Sequence, residues 1–132
     1  MISWLEKNKK ISIIFLTLIA IEIFVLSSIS GVGGVNAGIN LTSLYYFAVF
    51  FLFCFFSLIS VFGKEKITKK KLIFVLIISL IYAALDELHQ FFVPGRNANI
   101  NDFLIDSSGI FTSAIIYMCY ILNKKKRKIL IN

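Results

Sequence analysis

The sequence predicts an all-α membrane protein, a small bundle of four transmembrane helices with both termini on the cytoplasmic side. Three observations carry this expectation. Of 132 residues, 58% are hydrophobic, the mean hydropathy is +0.87, and the charged residues fall in short stretches that separate four apolar runs. A soluble domain of this size has too little interior for so much apolar surface. About 20 apolar residues cross a hydrocarbon core of roughly 30 Å, so the length admits four spans and little else. The chain therefore reads as one domain over residues 1–132 without a soluble appendage.

The basic head, with Lys7, Lys9 and Lys10, precedes an apolar run from Ile11 to about Ser30, which is span one (about 11–30). It reads as a retained span and not a cleaved leader, because it carries Glu22 and three further hydrophobic runs follow. Gly31 to Asn40 holds four glycines and no charge and reads as a flexible connection. Asn40-Leu41-Thr42 fits a glycosylation sequon, a pattern short enough to arise by chance. Span two (41–62) is rich in Phe, Leu and Tyr, with Tyr45 and Tyr46 where an interfacial aromatic belt would lie. A lysine-rich stretch, Gly63 to Lys71, leads into span three (72–93), and Pro94-Gly95-Arg96-Asn97 turns the chain toward span four (100–122). Asn99-x-x-Asp102 has the spacing of an approximate capping box at that helix start. Lys124 to Lys128 are five consecutive basic residues. Cys54 and Cys119 lie in separate apolar runs without a CxxC pair, and read as packing thiols.

Sidedness follows from counting. Of 14 Lys and Arg, three lie in the head, five in the middle loop and five in the tail, while Arg96 alone lies in a connection on the other side. By the positive-inside rule the lysine-rich face is cytoplasmic. The net charge of +7 is thereby explained by topology, with no nucleic-acid partner implied.

What topology leaves unexplained is Glu22, Asp86, Glu87, His89, Gln90, Arg96, Asp102 and Asp106, all in the outer half of the membrane or at its outer surface, with Glu22 near mid-membrane. An ionisable group inside a bilayer costs about 2.5–3.5 kcal/mol or more on insertion scales, so such groups face a bundle interior or a wet cavity. Asp86, His89 and Gln90 stand at i, i+3, i+4, on one helix face with Tyr82 one turn earlier, and Glu87 is beside them. Asp102 and Asp106 are one turn apart on span four, and Gly109 with Ser113 makes a small-x-x-x-small face for close helix approach. A short turn makes spans three and four antiparallel neighbours, so that their acidic faces meet with Arg96 above. Each residue also has a plainer reading: Asp102 as a helix-start carboxylate at the positive dipole end, His89 as an interfacial anchor, Glu22 as a hydrogen bond that holds the bundle together. Asp86-x-x-His89 leaves a divalent metal open, although bundle metal sites need matching carboxylates on other helices.

The stretch Asp86-Glu87-Leu88-His89-Gln90-Phe91-Phe92-Val93-Pro94-Gly95-Arg96, followed by Asn101-Asp102-Phe103-Leu104-Ile105-Asp106 and Gly109, resembles the signature of the VanZ-like family of small bacterial multi-span membrane proteins. The matching positions are Asp86, Glu87, Gln90, Pro94, Gly95, Arg96, Asp102 and Gly109, and Ser27-Ser28 agree as well. The chain departs from the pattern in lacking a His in the opening turns of span two and in having Asp106 where many relatives have Asn. The resemblance implies a cell-envelope protein, in some cases one that lowers sensitivity to teicoplanin and other lipid-tailed glycopeptides; it supplies no agreed reaction.

Three functions compete on these residues. In the first, Arg96, with Gln90, His89, Asp106 and Glu22 around it, holds a lipid-linked or amphiphilic anion such as a cell-wall precursor at the outer leaflet, because a guanidinium grips phosphate or carboxylate by paired hydrogen bonds. In the second, Asp86 and Glu87 form an acid–base pair with Asp102 as orienting group or metal ligand, in a hydrolase or transferase acting on a lipid-linked substrate. The third is a small ion- or proton-coupled transporter in which Glu22 and Asp106 relay protons. The first ranks highest, since no recognised nucleophile motif supports the second and no inverted repeat supports the third.

Overall fold

A computed structural model describes residues 2–30, 41–63, 65, 67–96 and 98–130, with side chains to 127. The Gly-rich connection, its sequon asparagine and Asn97 lie outside the described residues. Four helices are long and apolar enough to cross a membrane: α2 (Lys9–Ser27), α3 (Leu41–Phe62), α4 (Lys69–Phe92) and α5 (Ile100–Leu130). A short helix, α1 (Ile2–Lys7), precedes them.

The basic head is thus helical and not merely a charged flank. It stops at Asn8, whose backbone at φ −114° and ψ 61° leaves the helical region, and whose side-chain amide donates to the Trp4 carbonyl (3.0 Å). Leu5 and Glu6 point inward. Glu6, 2% exposed, accepts from Lys124 Nζ at 2.5 Å and from the Tyr117 hydroxyl at 3.4 Å, which ties the head to the far end of α5.

Span one, expected at about 11–30, is the helix Lys9–Ser27, and two further boundaries move outward from the sequence expectation. Helix α4 starts at Lys69 and not at Leu72, because Thr68, with extended backbone, caps it by accepting from the Lys71 amide. Helix α5 continues through the basic run to Leu130, well past Leu122. Lysine and arginine are good helix formers, so hydrophobic runs mark the membrane-buried part of a helix and not its ends.

The core is built around α3, whose uncharged circumference can be buried on every side. Phe50, Cys54, Leu58, Ile59 and Phe62 are fully buried, and Ser57 and Ser60 bond back to Phe53 and Phe56 carbonyls of their own helix. Its closest neighbour is α5. A Cβ added at Gly109 would fall on the Phe47 carbonyl oxygen and within 3.2 Å of the Phe51 amide nitrogen. The small-residue face predicted for α5 is therefore the surface on which α3 lies. Tyr82 stacks on Phe53 (centroids 4.7 Å apart) and donates to the Ala20 carbonyl at 2.7 Å, joining α4 to α3 and α2. The outer surface carries Ile13, Ile14, Phe24, Phe74, Leu85 and many other exposed apolar side chains, as a bundle solvated by lipid requires. Cys54 is buried as expected of a packing thiol, whereas Cys119 is exposed on this outer surface.

At one end, Glu65 bridges Lys9 (3.0 Å) and Lys71, and Glu6 meets Lys124. The head, middle loop and tail are consequently together, and the polar cluster of α4 and α5 lies at the opposite, lysine-poor end.

Candidate functional site

The turn after α4 aims Arg96 into the bundle. Gly95 has φ 78°, the conformation that glycine tolerates after proline in a type II turn, and the Arg96 amide closes the turn on the Val93 carbonyl at 3.1 Å. Although it sits in a connection, Arg96 is only 7% exposed. Its Nε donates to the Ile29 carbonyl (3.1 Å), Nη2 to the Leu26 carbonyl (2.5 Å), and Nη1 to Gln90 Oε1 (3.2 Å) and the Tyr46 hydroxyl (3.4 Å). The Leu26 carbonyl belongs to the last turn of α2 and the Ile29 carbonyl to the turn just beyond it, where the negative end of the helix dipole favours a cation. Arg96 therefore leans toward α2 and α3, and does not lie squarely over the acidic faces of α4 and α5. Among the described residues it pairs with no carboxylate.

Gln90 carries the connection onward. Its Nε2 donates to Asp86 Oδ2 at 2.9 Å, an orientation fixed because guanidinium can only donate and carboxylate only accept. Asp86 also faces the Ser27 hydroxyl of α2. The i, i+4 spacing read from the sequence thus becomes a chain from Arg96 through Gln90 to Asp86, with all three buried.

Glu87 points the other way, toward α5. Its Oε2 accepts the Asn99 amide at 3.0 Å, while the Asn99 side chain accepts the Asn101 amide at 3.0 Å. The capping box suggested by Asn99-x-x-Asp102 is corrected in one half: the asparagine caps, but the carboxylate that answers it is Glu87 from the neighbouring helix. Asp102 stays half-buried in the first turn of α5. One turn deeper Asp106 is fully buried, and among the described residues neither of its oxygens has a hydrogen-bond partner. It lies within electrostatic reach of Glu87, Asp86 and Asp102.

The remaining two sequence candidates stand apart from this cluster. His89 turns to α2, sharing a 2.9 Å hydrogen bond with the Ser28 hydroxyl and lying 4.9 Å from the Phe24 ring. Glu22 is exposed on α2, where the Tyr45 hydroxyl donates to it at 2.6 Å. It is five residues from the end of α2 and four from its middle, about 8 Å and 6 Å in rise, so it lies about halfway between mid-helix and the lysine-poor end. Between Glu22 and Arg96 a groove of about 290 Å³ is lined by Leu26, Leu41, Thr42, Tyr45 and Tyr46. Among the described residues no three His, Cys, Asp or Glu side chains converge closely enough to hold a metal ion. The carboxylates are split between Gln90, the Asn99 amide and the α5 interior, so the donor set for the divalent ion left open by the sequence is not assembled.

Sequence reasoning saw Tyr45 and Tyr46 only as interfacial aromatics and missed the α2 carbonyls as partners of Arg96. The available signal was that a lone arginine in a short turn needs several acceptors, and that Tyr46, one turn into a neighbouring span, brings one.

A helical bundle with four membrane-crossing segments and a polar site confined to one end defines the class: a polytopic membrane protein. The chain matches the VanZ/LLP1 family over residues 3–123, nearly its whole length, and belongs to that family. No curated protein and no solved structure matches it.

Proposed function

We propose that the protein binds the head of a lipid-linked or amphiphilic anion at the outer leaflet of the cell membrane, and by that binding lowers sensitivity to lipid-tailed glycopeptides. The observation that carries this is a buried guanidinium whose four acceptors are all uncharged, placed behind an apolar groove. Neutral acceptors orient Arg96 and leave it without a carboxylate hydrogen-bond partner among the described residues, so an anion competes for its charge only with Asp86, Glu87 and Asp102, which lie within electrostatic reach and not in contact. The Tyr46 hydroxyl accepts from Arg96 and lines the groove, and among the described residues its own proton has no acceptor, so it can be given to a ligand. Leu26 and Leu41 offer surface for the first methylenes of a chain. Sidedness comes from the lysines, which put termini and middle loop in the cytoplasm and the groove outside.

A second reading, a hydrolase or transferase on a lipid-linked substrate, is favoured by Asp106, whose two oxygens have no partner among the described residues and which lies within electrostatic reach of three other carboxyls. An acid and a base within one site are what such a reaction asks of its carboxyls. Transport fares worse, since no hydrogen-bonded path joins exposed Glu22 to buried Asp106 among the described residues.

The test is to express the chain and its Arg96→Ala, Tyr46→Phe, Glu87→Ala and Asp102→Ala variants at matched levels in a susceptible Gram-positive host and compare teicoplanin with vancomycin sensitivity. Protection selective for teicoplanin that Arg96→Ala and Tyr46→Phe remove supports binding. Protection lost with Glu87→Ala and Asp102→Ala but kept in Tyr46→Phe favours catalysis, and no protection from correctly inserted protein removes the resistance role.

A further inference from the structure

Two adjacent tyrosines at the start of α3 are wired to opposite charges. Tyr45 donates its proton to the Glu22 carboxylate at 2.6 Å, while Tyr46 accepts from the Arg96 guanidinium at 3.4 Å. Their rings meet edge to face, 5.7 Å between centroids, and both line the same groove. A negative pole and a positive pole are thereby each one hydrogen bond from a single apolar groove.

Glu22 is the harder of the two poles to account for on folding grounds. It is exposed on a face of α2 that also exposes Leu18, Ile21 and Val25 at 50–56%. A carboxylate in lipid-facing surroundings is costly and is ordinarily turned inward or paired with a cation, and one tyrosine hydroxyl is a partial remedy. The described cations of the chain do not supply the partner: the three ion pairs all lie at the opposite, lysine-rich end, and Arg96 is committed to α2, α3 and α4. A cation that completes Glu22 has to arrive from outside, reaching about 8 Å below the lysine-poor end of α2, on something that also occupies the groove.

We infer that the groove takes a zwitterionic amphiphile, with its anionic group at Tyr46 in front of Arg96, its ammonium at Glu22, and its chain leaving along Leu26 and Leu41 into the lipid. This deepens the proposed anion binding and rests on it, adding the second charge of the ligand and the residue that reads it. The chemistry is shared by an amine-bearing phospholipid and by a lipid-tailed amino acid or peptide.

The experiment uses the full chain in dodecyl maltoside, with dissociation constants measured by native mass spectrometry for three single-chain probes of equal length: lysophosphatidylethanolamine, lysophosphatidylglycerol, and N-acyl-lysine, which carries a carboxylate and an ammonium. At least one zwitterion is expected to bind about tenfold tighter than lysophosphatidylglycerol, a difference that Glu22→Gln erases while leaving lysophosphatidylglycerol within about twofold. Glutamine keeps an acceptor for Tyr45, so the fold is retained, and Tyr46→Phe serves as the second variant, weakening all three probes together. If only one zwitterion shows the Glu22-dependent preference, the source of the ligand is identified and the inference stands. If all three bind alike and Glu22→Gln is silent, the inference is overturned and anion binding survives. If none binds the wild-type chain, both fall.

Discussion

Replacing Arg96 by alanine tests the arrangement at its most connected point. The substitution removes four hydrogen bonds that join the turn after α4 to α2, α3 and α4, and leaves the Leu26 and Ile29 carbonyls and the Gln90 amide oxygen without their charged donor. A hydrogen bond to a charged group contributes about 1.5–3 kcal/mol, and a cation at a helix C-terminus adds roughly 0.3–2 kcal/mol. Because the connection lies near the bilayer surface, water reclaims part of the lost partners, and a net loss of about 3–5 kcal/mol follows. Arg96→Lys keeps the charge, but a point donor cannot serve acceptors spread around a planar fork, so roughly half of that loss is expected. The assay is a thermal ramp in detergent with a thiol-reactive dye, in a Cys119→Ser background, so that buried Cys54 reports opening of the core. A drop in midpoint of about 10 °C for Arg96→Ala, with Arg96→Lys between it and wild type, is the expected order. Midpoints within about 2 °C of wild type for both variants would refute the reading that Arg96 fastens the end of α2.

Further outcomes follow from other contacts. Gly109→Ala pushes a methyl onto the Phe47 carbonyl and is expected to cost about 1–3 kcal/mol by the same assay; a neutral result would mean that α3 and α5 do not meet as described. Gly95→Ala, at φ 78°, is expected to lose about 1–2 kcal/mol from the left-handed backbone and to weaken ligand binding through Arg96; unchanged stability and binding would count against the turn. Glu65 bridges Lys71 and Lys9, whose ammonium groups lower its carboxyl to about 2, below the usual value near 4.3. A depressed folded-state pKa means that its stabilisation is present above the ordinary value and is lost as pH falls from about 4 toward 2. A carboxyl resonance titrating near 2 at low salt and moving upward in high salt is expected, and a midpoint near 4 at low salt would show that the bridge does not form. Ala98→Cys in a chain lacking Cys54 and Cys119 is expected to react with an impermeant maleimide on intact cells; labelling only after lysis would invert the proposed sidedness.

The number and order of the spans were legible in the sequence because transfer into hydrocarbon is a local property, nearly additive along about 20 residues. The same holds for the gathering of lysines at one end, which the bridges from Glu65 and Glu6 make visible. Helix ends were less legible: Thr68 and the tail lysines extend helices past the apolar runs, where hydropathy carries no information. The candidate cluster was legible as a list, since Asp86 and Gln90 at helical spacing had to share a face, and they are in fact bonded to one another. Its division was not. Glu87 serves the first turn of α5, His89 packs on α2, and Glu22 answers Tyr45 on the outer surface, while Arg96 finds neutral acceptors on three helices instead of the acidic face beside it. Periodicity fixes which residues share one side of one helix, and says nothing of which neighbouring helix that side will meet. That choice belonged to the close approach of α3 and α5 at Gly109 and to the turn at Gly95. Only when both are in place do Tyr45 and Tyr46, ordinary interfacial aromatics in the sequence, stand between two opposite charges.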